Sequence, residues 1–145
     1  MGPASTEEIP TVLFICMHGS AKSVIAMLHL RRLAVSRRLR FTAASAGIEP
    51  DTEIPPHVVE GLRDDGLDAG GLRPRRLNAS DLRTAWRVIS FGCDVEHLGP
   101  VGREIERWEN IPNVTDGYAG ARSAIVARVT ALLDRYQAFG HGASI

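Results

Sequence analysis

The stretch VLFICMHGSAKSVIA, residues 12–26, decides the fold. Residues 11–15 form an apolar, β-rich run of the length expected for a strand buried on both faces, the habit of a central strand in a parallel sheet. The run stops at Cys16, and Gly19, Ser20 and Ala21 leave the following backbone sterically open. After Lys22 the period changes: Ala26, Leu30 and Leu33 recur at i, i+4 and i+7, predicting one apolar helical stripe to about Ser36. The segment therefore reads as strand, loop and helix, and its cysteine is either a reactive group or part of a plain turn.

Working outward, residues 41–46 read as a second strand, and GIEPDTEIPP (47–56) as a loop, because a glycine and three prolines deny it a ladder. Residues 57–65 put Val58, Val59 and Leu62 on one helical face, with Gly66 placed as a left-handed cap. Ser80 is the predicted N-cap of DLRTA, residues 86–91 a third strand ending at Gly92, and residues 101–108 a fourth, more exposed strand. The last helix is the clearest, with Ala121, Ile125, Val129, Leu132, Leu133 and Tyr136 on one face. Strands alternating with helices predict an α/β fold: a doubly wound parallel sheet with helices on both faces and right-handed crossovers. Ligands of such sheets bind beyond the carboxyl ends of the strands, where Cys16 lies.

At 145 residues, 44% hydrophobic and 23% charged, the chain has the size of one packed domain, expected over residues 11–138, with tails at 1–10 and 139–145. Seventeen basic and seventeen acidic residues cancel, so the overall charge argues for neither nucleic acid nor an anionic membrane as partner. The arginines of RRLAVSRRLR (31–40) and RPRR (73–76) are either anion-binding or solvated helix-end and loop charges. Two cysteines, Cys16 and Cys93, make no disulfide framework, and the Cys/His spacings of a metal site are absent. The first ten residues lack the basic and apolar segments of a signal peptide, and no run of about 18 apolar residues spans a membrane, so the expectation is a reduced, cytoplasmic protein.

If Cys16 ends the strand and Lys22 opens the helix, the backbone N–H groups of Met17, His18, Gly19, Ser20, Ala21 and Lys22 can curl into a nest. The helix N-terminus adds its own unsatisfied donors and partial positive charge. Such a nest suits an anion, and the same field favours a thiolate at Cys16. A tetrahedral oxyanion held there would present its central atom to the sulfur for covalent attack. His18 would add a charge dependent on pH, or simply face solvent. His29, His57, His97 and His141 are scattered. Trp108 and Tyr118 either shape the mouth of the site or belong to the core.

The chain resembles the low-molecular-weight protein tyrosine phosphatases and the thiol-dependent arsenate reductases that share their fold. The resemblance rests, in order along nearly the whole chain, on VLFICMHGSAKS, SAGIEP, DGLDAGGLRPRRL, RVISFGCD and RWENIPNV. It implies a four-stranded parallel sheet with the phosphate loop after the first strand, Cys16 as nucleophile, and Met17 to Lys22 as the oxyanion cradle. It also implies that the Ser23 hydroxyl bonds the thiolate and assists its departure.

Three departures bear on activity. Lys22 stands where the family has arginine, and an ammonium is a compact charge that cannot clamp an oxyanion bidentately. The family's acidic Asp-Pro pair is matched by Asn113 and Val114, and an amide cannot protonate a leaving group; Asp116 supplies a carboxyl three residues on, or simply marks a turn. The two further cysteines of thioredoxin-coupled reductases are matched by Gly92 and Gly99, leaving Cys93 as candidate resolving thiol or structural cysteine. The resemblance thus implies an arsenate reductase or transferase with a single cysteine nucleophile and no bound cofactor. Its second thiol would come from a small molecule such as mycothiol or glutathione, or from a redox partner. The alternatives are a low-molecular-weight phosphatase acting on phosphoesters and a non-catalytic module that binds phosphate, arsenate or a phosphoprotein.

Overall fold

The computed structural model describes residues 9–95 and 105–138. The predicted tails beyond those limits, His97, Gly99, His141 and the first part of the predicted fourth strand lie outside the described residues. Four parallel strands form one sheet in the order β2-β1-β3-β4. The strands are β1 (Thr11–Cys16), β2 (Thr42–Gly47), β3 (Arg87–Ser90) and β4 (Ile105–Arg107). The helices are α1 (Lys22–Ser36), α2 (Pro56–Asp64), α3 (Ala79–Thr84) and α4 (Tyr118–Ala138), with a 3-10 turn at Val114–Asp116.

β1 is the centre because both of its faces are apolar. Val12 and Phe14 enter one core cluster with α1, Val58 and Leu62 of α2, and the buried stripe of α4. Leu13 and Ile15 enter another, on the opposite face, with Leu82 of α3, Leu77, Val88 and Val95. Burying each such side chain is worth roughly 1.5–3 kcal/mol, so a polar residue on either face of β1 would destabilise the whole sheet. All six residues of the predicted α4 stripe are buried. Trp108 is core, its ring 5.6 Å from Phe14 and 5.5 Å from Phe91, and its indole N–H donates to Glu106.

Two sequence expectations need correction. The single stripe predicted for α1 is too narrow, since every residue from Ser23 to Leu30 is buried: β1, β2 and α4 all pack on this helix. The N-cap of α3 is Asn78, not Ser80. The Asn78 side chain accepts from Asp81 N–H and the Asp81 carboxylate accepts from Asn78 N–H, a capping box that satisfies two donors where Ser80 would satisfy one. The clustered arginines are largely held by protein acceptors: Arg31 by Ala43 O, Arg32 by Asp65 O, Arg37 by Asp134 and Gln137, Arg75 by Asp81, and Arg76 by Ile48 O.

One backbone contact sets the loop after β1. A Cβ on Gly47, at the end of β2, would fall 2.6 Å from Gly19 N and 2.7 Å from His18 C. One on Gly19, whose φ is +62°, would fall 2.8 Å from Gly47 N. The obstructing atoms are all backbone and cannot rotate aside. Gly47→Ala is therefore expected to cost about 1–3 kcal/mol and to lower the thermal midpoint by several degrees, which a melting curve would register. An unchanged midpoint would mean that the two segments are not in contact.

A buried polar cluster joins α1, the end of α2 and α4. His29 is 2% exposed, with Nε2 3.4 Å from Asp65 Oδ2 but without hydrogen-bond geometry. Asp65 accepts from Tyr118 OH and Arg122 Nε, both at 3.1 Å. Burial holds the His29 pKa below its ordinary 6.5, opposed by Asp65 and assisted by Arg32 and Arg122. Burial alone would raise Asp65, but bonds from Arg122 and Tyr118 bring its carboxyl below the usual range. Below pH 6.5 the unfolded chain takes up a proton at His29 that the folded chain refuses. Stability should thus decline as pH falls from 6.5 toward the lower folded value, by at most about 1.4 kcal/mol per pH unit from this group. Urea titrations between pH 7.5 and 5.5 should show the decline, and it should flatten in His29→Leu; an equally steep decline in that variant would assign it to other groups.

Candidate active site

At the carboxyl end of β1 the chain turns away from the sheet and returns as α1. The segment after β2 lies against this turn: Ile48 N, Glu49 N and Asp51 N donate to the carbonyls of Cys16, Met17 and His18 at 3.4, 2.8 and 3.0 Å. In a trans peptide the N–H points opposite to the C=O, so fixing three carbonyls on one side turns the amides of Met17, His18 and Gly19 to the other. Among the described residues, no backbone amide from Met17 to Ala21 donates to a protein acceptor. Helix α1 begins without a side-chain cap and without an acidic residue in its first turn, so its leading N–H groups are open as well. Unpaired amides converging at a helix N-terminus bind anions.

The sulfur of Cys16 lies 3.0 Å from the Ser23 hydroxyl, both buried; when Cys16 is a thiolate, Ser23 is the donor. Lys22, also in the cavity wall, donates from Nζ to Ile111 O at 3.3 Å. Ser20, nearly buried, donates to Asp51 Oδ2 at 2.7 Å.

These residues border an open cavity of about 430 Å³. Of the residues anticipated from sequence, Cys16, Met17, His18, Ser20, Ala21, Lys22 and Cys93 line it. Gly19 packs on Gly47, and Ser23 stands behind Cys16. Asp116 is exposed in the 3-10 turn and is not among the lining residues, whereas Asn113 and Thr115 are. Tyr118 is bound to Asp65 rather than to the cavity. Cys93 is buried after Gly92, whose φ is +85°, and its amide and carbonyl both bond the Ser90 hydroxyl. Burial pushes the Cys93 thiol up, and the proximity of Cys16 adds to the rise.

Sequence reasoning misses Asp51 and His57 as site residues. Both line the cavity, and Asp51 supplies its sole carboxyl group among the described residues. A signal exists: in a parallel sheet the loops after several strands meet at one edge, so a polar residue following β2 is a candidate as much as one following β1. A second cavity, of about 660 Å³, opens where β1 begins and is lined by Thr11, Trp86 and the Arg75–Asp81 ion pair. It contains neither cysteine nor histidine. Among the described residues no group of three His, Cys, Asp or Glu could hold a metal ion, and no helix is long and apolar enough to cross a membrane.

The fold recurs in known proteins. A thioredoxin-dependent arsenate reductase of Corynebacterium glutamicum is 30% identical with a TM-score of 0.77, the match covering 90% of this chain and 63% of that one. This chain thus spans less than two thirds of that protein's length. An arsenate reductase of Archaeoglobus fulgidus is 28% identical over 85% of this chain and 98% of its own, with a TM-score of 0.67. A low molecular weight protein tyrosine phosphatase of T. tengcongensis, 17% identical over 87% and 99% with a TM-score of 0.70, shares the fold. No curated protein matches the sequence. The family model for low molecular weight phosphotyrosine protein phosphatases matches residues 11–105, which hold the whole loop from Cys16 to Ser23 and three of the four strands, and the chain belongs to that family.

Proposed function

We propose that the chain is an oxyanion-processing enzyme with Cys16 as its single nucleophile, acting as an arsenate reductase or arsenate–thiol transferase. The observation that carries this reading is the composition of the cavity: two thiols and an ammonium surround the nest, but position 113 holds an amide. A phosphoester must expel an alkoxide and depends on a strong acid at that position. Arsenate loses only hydroxide, which leaves as water once protonated. The Corynebacterium and Archaeoglobus proteins, 30% and 28% identical to this chain, are both arsenate reductases, which favours the same reading.

In this reading the Cys16 thiolate attacks arsenic while an arsenate oxygen leaves as water, giving a thioester of arsenic. A second thiol then attacks Cys16 Sγ. The S–As bond breaks, its electron pair stays on arsenic as As(V) becomes As(III), and a disulfide forms. Ser23 stabilises the thiolate before attack, and Lys22 with the Met17–Ala21 amides holds the remaining oxygens. Burial of the Cys93 thiol leaves less of it ionised at neutral pH than a free thiol, so a small thiol such as mycothiol or glutathione entering the open cavity is the better reductant. Asp116, outside the lining, takes no step in this scheme.

The test is arsenite release from arsenate with mycothiol or glutathione, run beside hydrolysis of p-nitrophenyl phosphate. Arsenite release is expected, falling to background in Cys16→Ser while that variant still binds phosphate. Hydrolysis of the aryl phosphate alone would replace the reading with a phosphatase, and turnover of neither with retained phosphate binding would leave a binding module. A second expectation concerns the missing acid: Asn113→Asp should raise aryl phosphate hydrolysis by about 100-fold, the low end of what a positioned general acid contributes. No gain would show that the amide is not what limits that reaction.

A further inference from the structure

We infer that His18 is the proton donor of this site, held for that task by Glu49 and Asp51; the inference rests on the reading of Cys16 as nucleophile. His18 lies in the cradle loop, lines the cavity with Cys16, and its side chain is 57% exposed. Its Nδ1 is 3.1 Å from the carbonyl oxygen of Glu49. A carbonyl only accepts, so Nδ1 carries the hydrogen, and Nε2 is left as the nitrogen that gains and loses a proton. On the same side of the ring Asp51 Oδ1 lies 3.8 Å from Nδ1, beyond hydrogen-bond range but within ion-pair distance when the ring is protonated.

The carboxylate is itself fixed. Asp51 Oδ2 accepts from the Ser20 hydroxyl at 2.7 Å, and Asp51 N donates to the carbonyl of His18. The ring, its carbonyl partner and its counter-charge are thereby tied to the loop that holds the anion, so the proton donor moves with the site. This is the base-and-orienter arrangement used in reverse: one ring nitrogen is held by a carbonyl and the other is left for the reaction. It fills a specific lack: Asn113 has no acidic proton to give, and Asp116 is not in the lining.

The step balances as follows. Thiolate, arsenate dianion and the Nε2 proton of the His18 imidazolium become the S–As adduct, water and neutral imidazole; the As–O bond breaks as the S–As bond forms. With a phosphoester the same proton would go to the departing oxygen. The other ionisable groups that line the cavity with His18 and Asp51 are Lys22, His57, Cys16 and Cys93, so a pH profile must be read against variants.

The tautomer is tested without turnover, by ¹⁵N NMR of the imidazole nitrogens at a pH where His18 is neutral. The proton is expected on Nδ1, and its finding on Nε2 would overturn the assignment. His18→Gln is expected to lower arsenite release by about 100-fold, while phosphate protects Cys16 from iodoacetamide to within about threefold of the wild type. Asp51→Asn, which removes the carboxylate fixed beside Nδ1, should lower turnover by about tenfold. Unchanged turnover in His18→Gln would remove His18 from the chemistry. If the wild type turns over only the aryl phosphate, the same variants read in that assay keep the His18 role and discard the arsenate reading; no wild-type turnover of either substrate discards both.

Discussion

Three carbonyls fixed on one side of a loop determine what the other side can do. Because Ile48, Glu49 and Asp51 occupy the carbonyls of Cys16, Met17 and His18, the neighbouring amides have nowhere to donate but into the cavity. The amides face an open cavity rather than protein acceptors, and the surrounding structure holds the loop in that state. The determinants can be named. β1 is anchored by apolar contacts on both faces, Gly47 and Gly19 let two backbones touch, and α1 is buried along its first eight residues after Lys22. The array of open amides is the residue of those constraints rather than an addition to them.

That origin explains which parts of the site match the family and which do not. The thiol, the hydroxyl behind it and the amides belong to the loop itself and follow from its geometry. The cation, the acid and the second thiol come from side chains that project into the cavity, and those are the positions where Lys22, Asn113 and Gly92 depart. A scaffold held by backbone contacts can change its projecting side chains without losing its shape.

The fold is legible because β1 is a continuous apolar run of strand length while α1 and α4 carry helical periods. The limits of legibility are physical too. The stripe at Ala26, Leu30 and Leu33 does not show that α1 is covered by three neighbours, because periodicity reports one buried face and not how many partners meet there. Ser80 has the hydroxyl of a typical cap, yet the reciprocal pair of Asn78 and Asp81 satisfies more of the backbone. Asp116 stands close to Asn113 in sequence, but one 3-10 turn carries its side chain off the cavity wall. Asp51 and the Nδ1 contact of His18 depend on β2's loop folding against β1's, a tertiary pairing that no local pattern announces.

The lysine at position 22 gains meaning from the same geometry. An arginine would offer a planar fork suited to clamping two oxygens of one anion. An ammonium has three donors directed apart, and in this chain one of them is already engaged with Ile111 O, in the segment that leads to Asn113. The two that remain can meet an oxyanion while the third holds the opposite wall of the cavity. Lys22 thus ties the loop after β1 to the segment that leads to position 113. What is lost is stabilisation of charge spread over several oxygens at once, as phosphoryl transfer requires. In the function proposed above the leaving group departs as water and makes less of that demand, so the lysine and the amide at position 113 support that proposal together.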